Sequence, residues 1–330
     1  MVAQLDNTFV KLSKKKTLVR FISYLLYEGR PLTTKGRWFN RVVFFLYRVQ
    51  ASLNLKTRVD RPIFILGTGR SGSTMLGITL GMHDDVGFLN EPKALWSYAH
   101  KGEDVIGSYQ DKPGSYYLTS EDASWSMREK LSSIIGCYLK LTSRKRLVDK
   151  YPELIFRTSF VEEIFPDAKF LFLYRNGWDT CNSIQRWSER IGFDVSGDVH
   201  DWWGINNRKW DLLCDQVLSR DPVLSKSSEE IKKYTDHVHM AAVEWILTMK
   251  QGLDLQLDDS VNMIPVRYES YVRDESYREE VLKFCELSED ADFSTYCRQE
   301  LISPRASQPV DLPIEIKDEF MRLMGELDYE

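Results

Sequence analysis

The spacing of apolar residues divides the chain into two parts. Before residue 61, apolar positions recur every three or four residues, which places them on one face of a helix. One such face holds Leu18, Phe21, Ile22 and Leu25, and a second holds Trp38, Val42, Phe45 and Leu46. The spacing predicts that residues 1–60 form a basic helical N-terminal extension and that residues 61–330 form the main domain.

From residue 61 onward, short apolar runs alternate with stretches of helical spacing. The runs predicted as strands span residues 62–66, 86–89, 146–148, 169–173 and 262–266. The predicted helices span residues 73–82, 123–141, 154–164, 178–190, 229–252 and 275–286. This alternation predicts an α/β fold of three layers, in which helices cover both faces of a mostly parallel central sheet. Residues 100–122, rich in Gly, Ser, Tyr and Asp, are predicted to form a long loop near the mouth of a site.

Composition and charge exclude several classes of protein. With 330 residues, 43% of them hydrophobic and 12% aromatic, the chain is neither disordered nor of low complexity. The net charge is −5, but residues 1–60 carry 12 Lys/Arg against 3 Asp/Glu, whereas residues 61–330 carry 32 against 46. An acidic main domain is not expected to bind nucleic acid, so an anionic small ligand must be held by a local site.

The basic extension has two interpretations. It could pack on the main domain with its Lys and Arg side chains facing solvent, which is the common arrangement, or it could dock on anionic lipid as a surface helix. The apolar run at residues 17–27 is short and contains Arg20, so neither a membrane span nor a signal peptide is predicted. Five scattered cysteines without metal-ligand spacing are typical of a reducing compartment, and a cytoplasmic protein is predicted, with peripheral membrane contact left open.

The most informative segment is a glycine-rich turn between a predicted strand and a predicted helix. Backbone N–H groups of such a turn, together with the helix N-terminus, form a site for phosphate. The spacing from Gly67 to Gly72 matches a P-loop, but Ser73 stands where a kinase requires Lys. The turn therefore predicts a nucleotide with a shorter phosphate chain and a different transferable group; the alternative is a turn that only joins strand to helix. The predicted binding residues are Gly67, Thr68, Gly69, Arg70, Ser71, Gly72, Ser73 and Thr74.

A second anion site is predicted about a hundred residues later. An apolar strand ends at Arg175, a helix starts near Trp178, and Ser183 lies about two helical turns from Arg175. An Arg at a strand end and a hydroxyl on the following helix can clamp one phosphate. Arg186, one turn beyond Ser183, is a further candidate for the same phosphate.

Together, the segments Gly67-Thr-Gly-Arg-Ser-Gly-Ser-Thr74 and Tyr174-Arg-Asn-Gly-Trp-Asp179 resemble the two nucleotide motifs of sulfotransferases that use 3′-phosphoadenosine 5′-phosphosulfate (PAPS). The pattern is closest to the tyrosylprotein and carbohydrate types. Asn90-Glu91-Pro92 and Asp149-Lys150-Tyr151-Pro152 follow in the family's order. Residues 62–185 carry the resemblance, and residues 1–60 have no counterpart in it.

The resemblance implies a role for each matching residue. Arg70 and Lys150 would stabilise the leaving phosphate, and Glu91 would take the proton from the acceptor hydroxyl. Two alternatives remain for the base. His83 or His100 could take the proton instead, and Glu91 could be an acid that only stabilises a helix N-terminus. Arg175, Ser183, Arg186 and, in the C-terminal region, Arg305 would hold the 3′-phosphate, and no metal is expected.

The implied activity is transfer of a sulfuryl group from PAPS to a hydroxyl of a carbohydrate, lipid or phenol. Two alternatives remain, a P-loop small-molecule kinase and a non-catalytic protein that binds nucleotide or membrane. Four tryptophans could stack on an acceptor or belong to the core. They are Trp187, Trp202, Trp203 and Trp210.

Overall fold

The computed structural model describes residues 4–31, 33–53, 58–195, 197–258, 261–303 and 308–329. The strands in these ranges are β1 (Ile63–Gly67), β2 (Val86–Asn90), β3 (Arg146–Lys150), β4 (Lys169–Tyr174), β5 (Phe193–Val195), β6 (Asp198–Asp201), β7 (Gly204–Ile205) and β8 (Met263–Arg267). The α-helices are α1 (Asn7–Leu12), α2 (Lys14–Ile22), α3 (Asn40–Ser52), α4 (Ser73–Gly81), α5 (Lys93–Ala99), α6 (Trp125–Thr142), α7 (Thr158–Ile164), α8 (Gly177–Ile191), α9 (Arg208–Gln216), α10 (Ser228–Ile231), α11 (His237–Gln256), α12 (Tyr268–Arg273), α13 (Glu275–Phe284), α14 (Ala291–Glu300) and α15 (Ile314–Glu326).

The central sheet contains five parallel strands in the order β2-β3-β1-β4-β8. All five are the strands predicted from the apolar runs, with ends shifted by one or two residues. A ligand at such a sheet binds beyond the carboxyl ends of the strands. Because β1 pairs with β4 so that Gly67 lies opposite Leu173, the two predicted phosphate motifs emerge side by side at that edge.

Apolar cores cover the two faces of this sheet, which confirms the predicted three-layer α/β fold. Along β1, Phe64 and Leu66 belong to one buried cluster and Ile63 and Ile65 to the other, as the alternation of side chains along a strand requires. All five cysteines carry free thiols, and four of them are buried.

A second, antiparallel sheet of β5, β6 and β7 was not predicted. These strands are two to four residues long, and residues such as Asp198 and His200 give them no apolar alternation. The sheet nevertheless matters for function, because its turns bring aromatic side chains over the glycine-rich loop.

The N-terminal extension packs on the main domain, but in an unexpected orientation. The expectation that its Lys and Arg side chains face solvent holds for Lys14 and Lys15 of α2, but it is wrong for Lys16 and Arg20, which are each only 2% exposed. Lys16 Nζ lies 2.8 Å from Asp292 Oδ2, and Arg20 Nη1 lies 2.6 Å from Glu28 Oε1. The Glu28 carboxylate is buried and the Asp292 carboxylate is partly exposed, and each pairs with a buried cation, because an unpaired charge in the interior is costly. The helix therefore turns Lys16 and Arg20 inward and leaves Lys14 and Lys15 exposed. The division at residue 60 stays a prediction.

Within the described ranges, no helix is both long enough and apolar enough to cross a membrane.

Gly67 is predicted to be essential for the junction of β1 and β4. Its φ is +136°, and a Cβ atom there would lie 2.2 Å from the Leu173 carbonyl oxygen. We expect Gly67→Ala to lower the free energy of unfolding by about 3 kcal/mol or more, because strain and a backbone clash add. Gly36 is the matched control, since its φ is +85° but no atom of the described residues lies within 4 Å of a Cβ. Gly36→Ala should cost only about 1 kcal/mol in urea unfolding; equal losses would contradict this account.

Candidate active site

The glycine-rich loop forms a tight turn between β1 and α4. Gly72 has φ +100° and immediately precedes α4, and Arg70 adopts a left-handed backbone at φ +67°. The Ser71 hydroxyl donates to the Thr68 carbonyl at 2.6 Å, which closes the turn. The side chains of Thr68, Ser71 and Ser73 are buried, so the loop presents backbone N–H groups and the start of a helix toward the cleft.

Arg70 joins the two predicted phosphate motifs. Its Nε lies 3.3 Å from the Ser183 hydroxyl oxygen, although the two residues are 113 positions apart. The Arg70 side chain is exposed at the cleft, yet the protein packed around it and then the charge of Arg190 lower its pKa. Smaller contributions in the same direction come from Arg175 and Arg186. The nearby Glu91 carboxylate opposes this effect, but the repulsion of Arg70 by three other guanidinium groups remains, and a bound polyanion would relieve it.

Arg175 is held at the end of β4 by its neighbours. Its Nη2 donates to Asp179 Oδ2 at 3.1 Å, and its guanidinium lies 4.8 Å from the centre of the Tyr268 ring. The Trp245 indole donates to the Arg175 carbonyl oxygen at 3.1 Å. These contacts hold the Arg175 guanidinium in a fixed position beside the start of α8.

The pair of Glu91 and Lys150 lies beside the loop, at the ends of β2 and β3. The Glu91 N–H donates to the Lys150 carbonyl oxygen at 2.7 Å, and Lys150 Nζ donates to Glu91 Oε1. Lys93 Nζ lies 3.5 Å from Glu91 Oε2. Burial opposes ionisation of Glu91, but the charges of Lys150 and Lys93 outweigh it and hold the pKa of Glu91 well below its usual range. The carboxylate is therefore ionised and partly exposed toward the cleft.

Glu91, like Arg70, has a left-handed backbone, with φ +48°. For residues other than glycine this conformation costs free energy, and it persists only where the surrounding structure imposes it. Such residues concentrate at functional sites, so the strain at both positions supports their assignment to the site.

A chain of alternating buried charges extends from Glu91, and the sequence analysis missed it. Lys93 Nζ lies 2.9 Å from Glu153 Oε1, and Lys209 Nζ lies 3.9 Å from the same oxygen and 2.6 Å from Glu244 Oε1. Glu244 Oε2 accepts from the Trp202 indole at 2.8 Å. The only signal in the sequence was that Lys93 and Glu153 each follow a motif proline. Their pairing depends on segments far apart in the chain.

Beyond Glu91, a chamber of about 270 Å³ opens on the side of the loop facing Trp202. Trp202 covers Gly69, where a Cβ atom would lie 2.3 Å from the indole, and Trp187 packs edge-on against Trp202. Trp203 and Trp210 belong to the core instead. The four tryptophans left ambiguous by the sequence are thus divided between the chamber and the core.

Two segments predicted separately close the chamber. The loop at residues 100–122 contributes Ile106, Ser108 and Tyr109, in agreement with its predicted place at the mouth of a site. The N-terminal extension contributes Tyr24, Pro31, Thr33 and Thr34. Residues of the N-terminal extension, which has no counterpart in the sulfotransferase resemblance, therefore line the same chamber as Glu91.

The remaining predicted residues are placed as follows. His83 precedes β2, at the opposite end of the sheet from Glu91, and its Nδ1 accepts from the Asp85 N–H at 3.0 Å, so it is wrong as a rival base. His100 ends α5, where its Nδ1 accepts from the Gly102 N–H at 3.1 Å. Arg305 lies outside the described residues.

Each of the two predicted phosphate motifs contains a buried polar atom that is not paired within the described part of the protein. Among the described residues, the buried Thr68 Oγ1 and Arg175 Nε atoms have no hydrogen-bond partner, and each lies in one of the two phosphate motifs. A buried polar atom without a partner costs free energy, so a phosphate oxygen that pairs with it is stabilised.

Comparisons with known proteins agree with this geometry. Residues 62–211 match the model of the Sulfotransferase family. The chain is 26% identical over 205 residues to the protein-tyrosine sulfotransferase of Drosophila melanogaster, covering 60% of this chain and 39% of that protein. It is 27% identical over 216 residues to protein-tyrosine sulfotransferase 1 of Danio rerio, covering 61% of this chain and 56% of that protein. The alignments thus span less than two thirds of either relative.

Among solved structures, a sulfotransferase domain from the curacin biosynthetic pathway superposes with a TM-score of 0.50 at 15% identity. The superposition covers 83% of this chain and 99% of that domain, and it supports the fold. The resemblance predicted from the motifs is confirmed.

Proposed function

We propose that this chain, whose residues 62–211 match the Sulfotransferase family model, transfers a sulfuryl group from PAPS to a hydroxyl acceptor. The observation that carries the proposal is the contact of Arg70 with Ser183 at 3.3 Å, which joins the two phosphate motifs into one cationic cleft. The glycine-rich loop would hold the 5′-phosphosulfate. Arg175, Ser183 and Arg186 would hold the 3′-phosphate.

In the proposed reaction, the acceptor oxygen attacks sulfur in line while the bond from sulfur to the 5′-phosphate oxygen breaks. The acceptor proton passes to the Glu91 carboxylate, and adenosine 3′,5′-bisphosphate leaves. Arg70 and Lys150 neutralise the charge that develops on the leaving phosphate. Because Lys150 pairs with Glu91 in the resting site, attraction of Lys150 to the donor would weaken that pair and make Glu91 a better proton acceptor.

The chamber is the proposed acceptor site. Its position next to Glu91 and its two tryptophan faces suit a ring that carries a hydroxyl group. The names of the relatives favour a phenol over the carbohydrate and lipid acceptors that the sequence left open. The cytoplasmic location stays a prediction, as does the absence of a metal.

The proposal predicts tight binding of adenosine 3′,5′-bisphosphate and its loss on Arg175→Ala. We expect the affinity to fall about 10- to 100-fold, because a charge-assisted contact to the 3′-phosphate is lost. Isothermal titration calorimetry measures this directly.

Arg267 is the matched control for Arg175, since it ends the neighbouring strand β8 and its guanidinium lies 4.4 Å from the Tyr329 ring centre. Arg267→Ala should keep most of the affinity. If wild type does not bind this nucleotide and phosphorylates a small molecule with ATP instead, the kinase alternative is correct.

A further inference from the structure

The outer face of α3 is apolar, although it faces solvent. Its exposed side chains, including one from the short turn before the helix, recur at helical spacing; they are Trp38, Val42, Phe45 and Val49, followed by Leu53. Trp38 is 73% exposed and Phe45 61%. A contiguous apolar stripe of this kind is uncommon on a free surface and marks a place of contact.

Cations border the stripe, and among the described residues no carboxylate lines the groove beside it. Exposed basic side chains on the same segment are Lys35, Arg37, Arg41 and Arg48, and the sequence contains no Asp or Glu between residues 29 and 59. A groove of about 600 Å³ on this face is lined by both kinds of side chain, among them Trp38, Phe45 and Arg41. Aromatic rings at the acyl boundary and cations at the phosphates are the pattern of an interfacial helix.

Helix α2, earlier in the extension, also exposes apolar side chains, and its orientation is fixed. Leu18 is 61% exposed, and Phe21 in α2 and Leu25 in the helical segment Ser23–Tyr27 are exposed as well. The inward face is fixed by the ion pair of buried Lys16 with the partly exposed Asp292 and by the buried ion pair of Arg20 with Glu28. Turning the apolar face inward would break these pairs and leave buried charges without partners, which is strongly unfavourable.

The positive charge of this surface indicates which partner it binds. A second copy docked through a two-fold contact would bring Arg37, Arg41 and Arg48 close to the same cations of its partner. Negatively charged lipid instead complements both the cations and the apolar stripe. We infer that the exposed faces of α2 and α3 form a docking surface for an anionic lipid bilayer.

This inference goes beyond the proposed function and does not depend on it. It also predicts that the chamber lies close to the bilayer, because Ser108 and Tyr109 line both the chamber and the groove beside α3. Docking would therefore hold one wall of the chamber next to the lipid headgroups.

The test is co-sedimentation of the full chain with vesicles of phosphatidylcholine, with or without about 30 mol% phosphatidylserine. We expect binding to the anionic vesicles at least about 10-fold tighter than to the neutral ones, and weakened by salt. The double variant Trp38→Glu/Phe45→Glu should lose at least about 10-fold in affinity for the anionic vesicles. Arg41→Glu/Arg48→Glu should remove the preference for anionic lipid.

Matched controls are Trp125→Glu and Leu257→Glu, which alter side chains that are 72% and 85% exposed outside the extension. They should bind vesicles as wild type does. Circular dichroism and urea unfolding check that all variants fold. Equal vesicle binding by wild type and Trp38→Glu/Phe45→Glu, or no binding by wild type, overturns the inference. Self-association abolished by the same variant, without vesicle binding, would assign the surface to a second copy of the chain.

Discussion

Arg70→Ala is expected to lower kcat for sulfuryl transfer by about 1,000-fold or more, since an Arg that neutralises a leaving phosphate contributes on this scale. Arg70 lies in the loop that would hold the 5′-phosphosulfate, and its side chain contacts Ser183 of the second phosphate motif. Its removal therefore takes one positive charge from the centre of the cleft. The measurement is the rate of adenosine 3′,5′-bisphosphate release from PAPS with a phenol acceptor.

The control for this variant is Arg58→Ala. Arg58 is 78% exposed and pairs with Asp167 at 2.7 Å, near the amino-terminal ends of the central strands. Its loss should leave kcat unchanged. A kcat for Arg70→Ala within about 10-fold of wild type would contradict the role of Arg70, because the expected transition-state contribution is far larger.

Glu91→Gln is expected to lower kcat by about 100- to 10,000-fold while affinity for adenosine 3′,5′-bisphosphate is kept. Gln has nearly the same size and can still accept a hydrogen bond from Lys150, but it cannot accept the acceptor's proton. The variant also releases Lys150 from an ion pair, so donor binding should not weaken. Single-turnover kinetics separate the chemical step from binding.

Glu286→Gln is a closely matched control for this change. The side chain of Glu286 is 43% exposed against 39% for Glu91, and it too pairs with a lysine, at 2.9 Å from Lys169 Nζ. It follows α13 and meets the amino-terminal ends of the central strands, so its loss should not slow transfer. Normal turnover by Glu91→Gln would disprove the assignment of the base and leave the donor site intact.

The low pKa of Glu91 has a consequence for pH dependence. Lys150 and Lys93 keep the Glu91 carboxylate ionised, so the pKa of Glu91 is lower in the folded protein than in the unfolded chain. This difference stabilises the fold at pH values above the unfolded-state pKa. The stabilisation is lost in acid, as the pH falls through the folded-state pKa and Glu91 becomes protonated. At neutral pH the resting group is thus in the form a base requires. Its weak basicity is the reason that the proposed reaction needs Lys150 to move toward the donor.

The sequence alone determined the five parallel strands and the two phosphate motifs. Short apolar runs bounded by turn residues are a local signal, and so is the passage from a strand through Gly67 and Gly72 into a helix. Such signals depend on neighbouring residues. They therefore predicted that Arg70 and Arg175 lie at strand ends, but not how the two ends are arranged.

Only the tertiary structure decided how distant segments meet. The strand order puts β1 beside β4, and this brings Arg70 to Ser183. The chain of charges from Lys93 to Glu244 and the inward orientation of Lys16 depend on partners supplied by other elements. Periodicity predicts that a helix has two faces, but which face is buried depends on the partners it meets. At α2, the carboxylates of Asp292 and Glu28 hold Lys16 and Arg20 inward while Leu18 and Phe21 stay exposed.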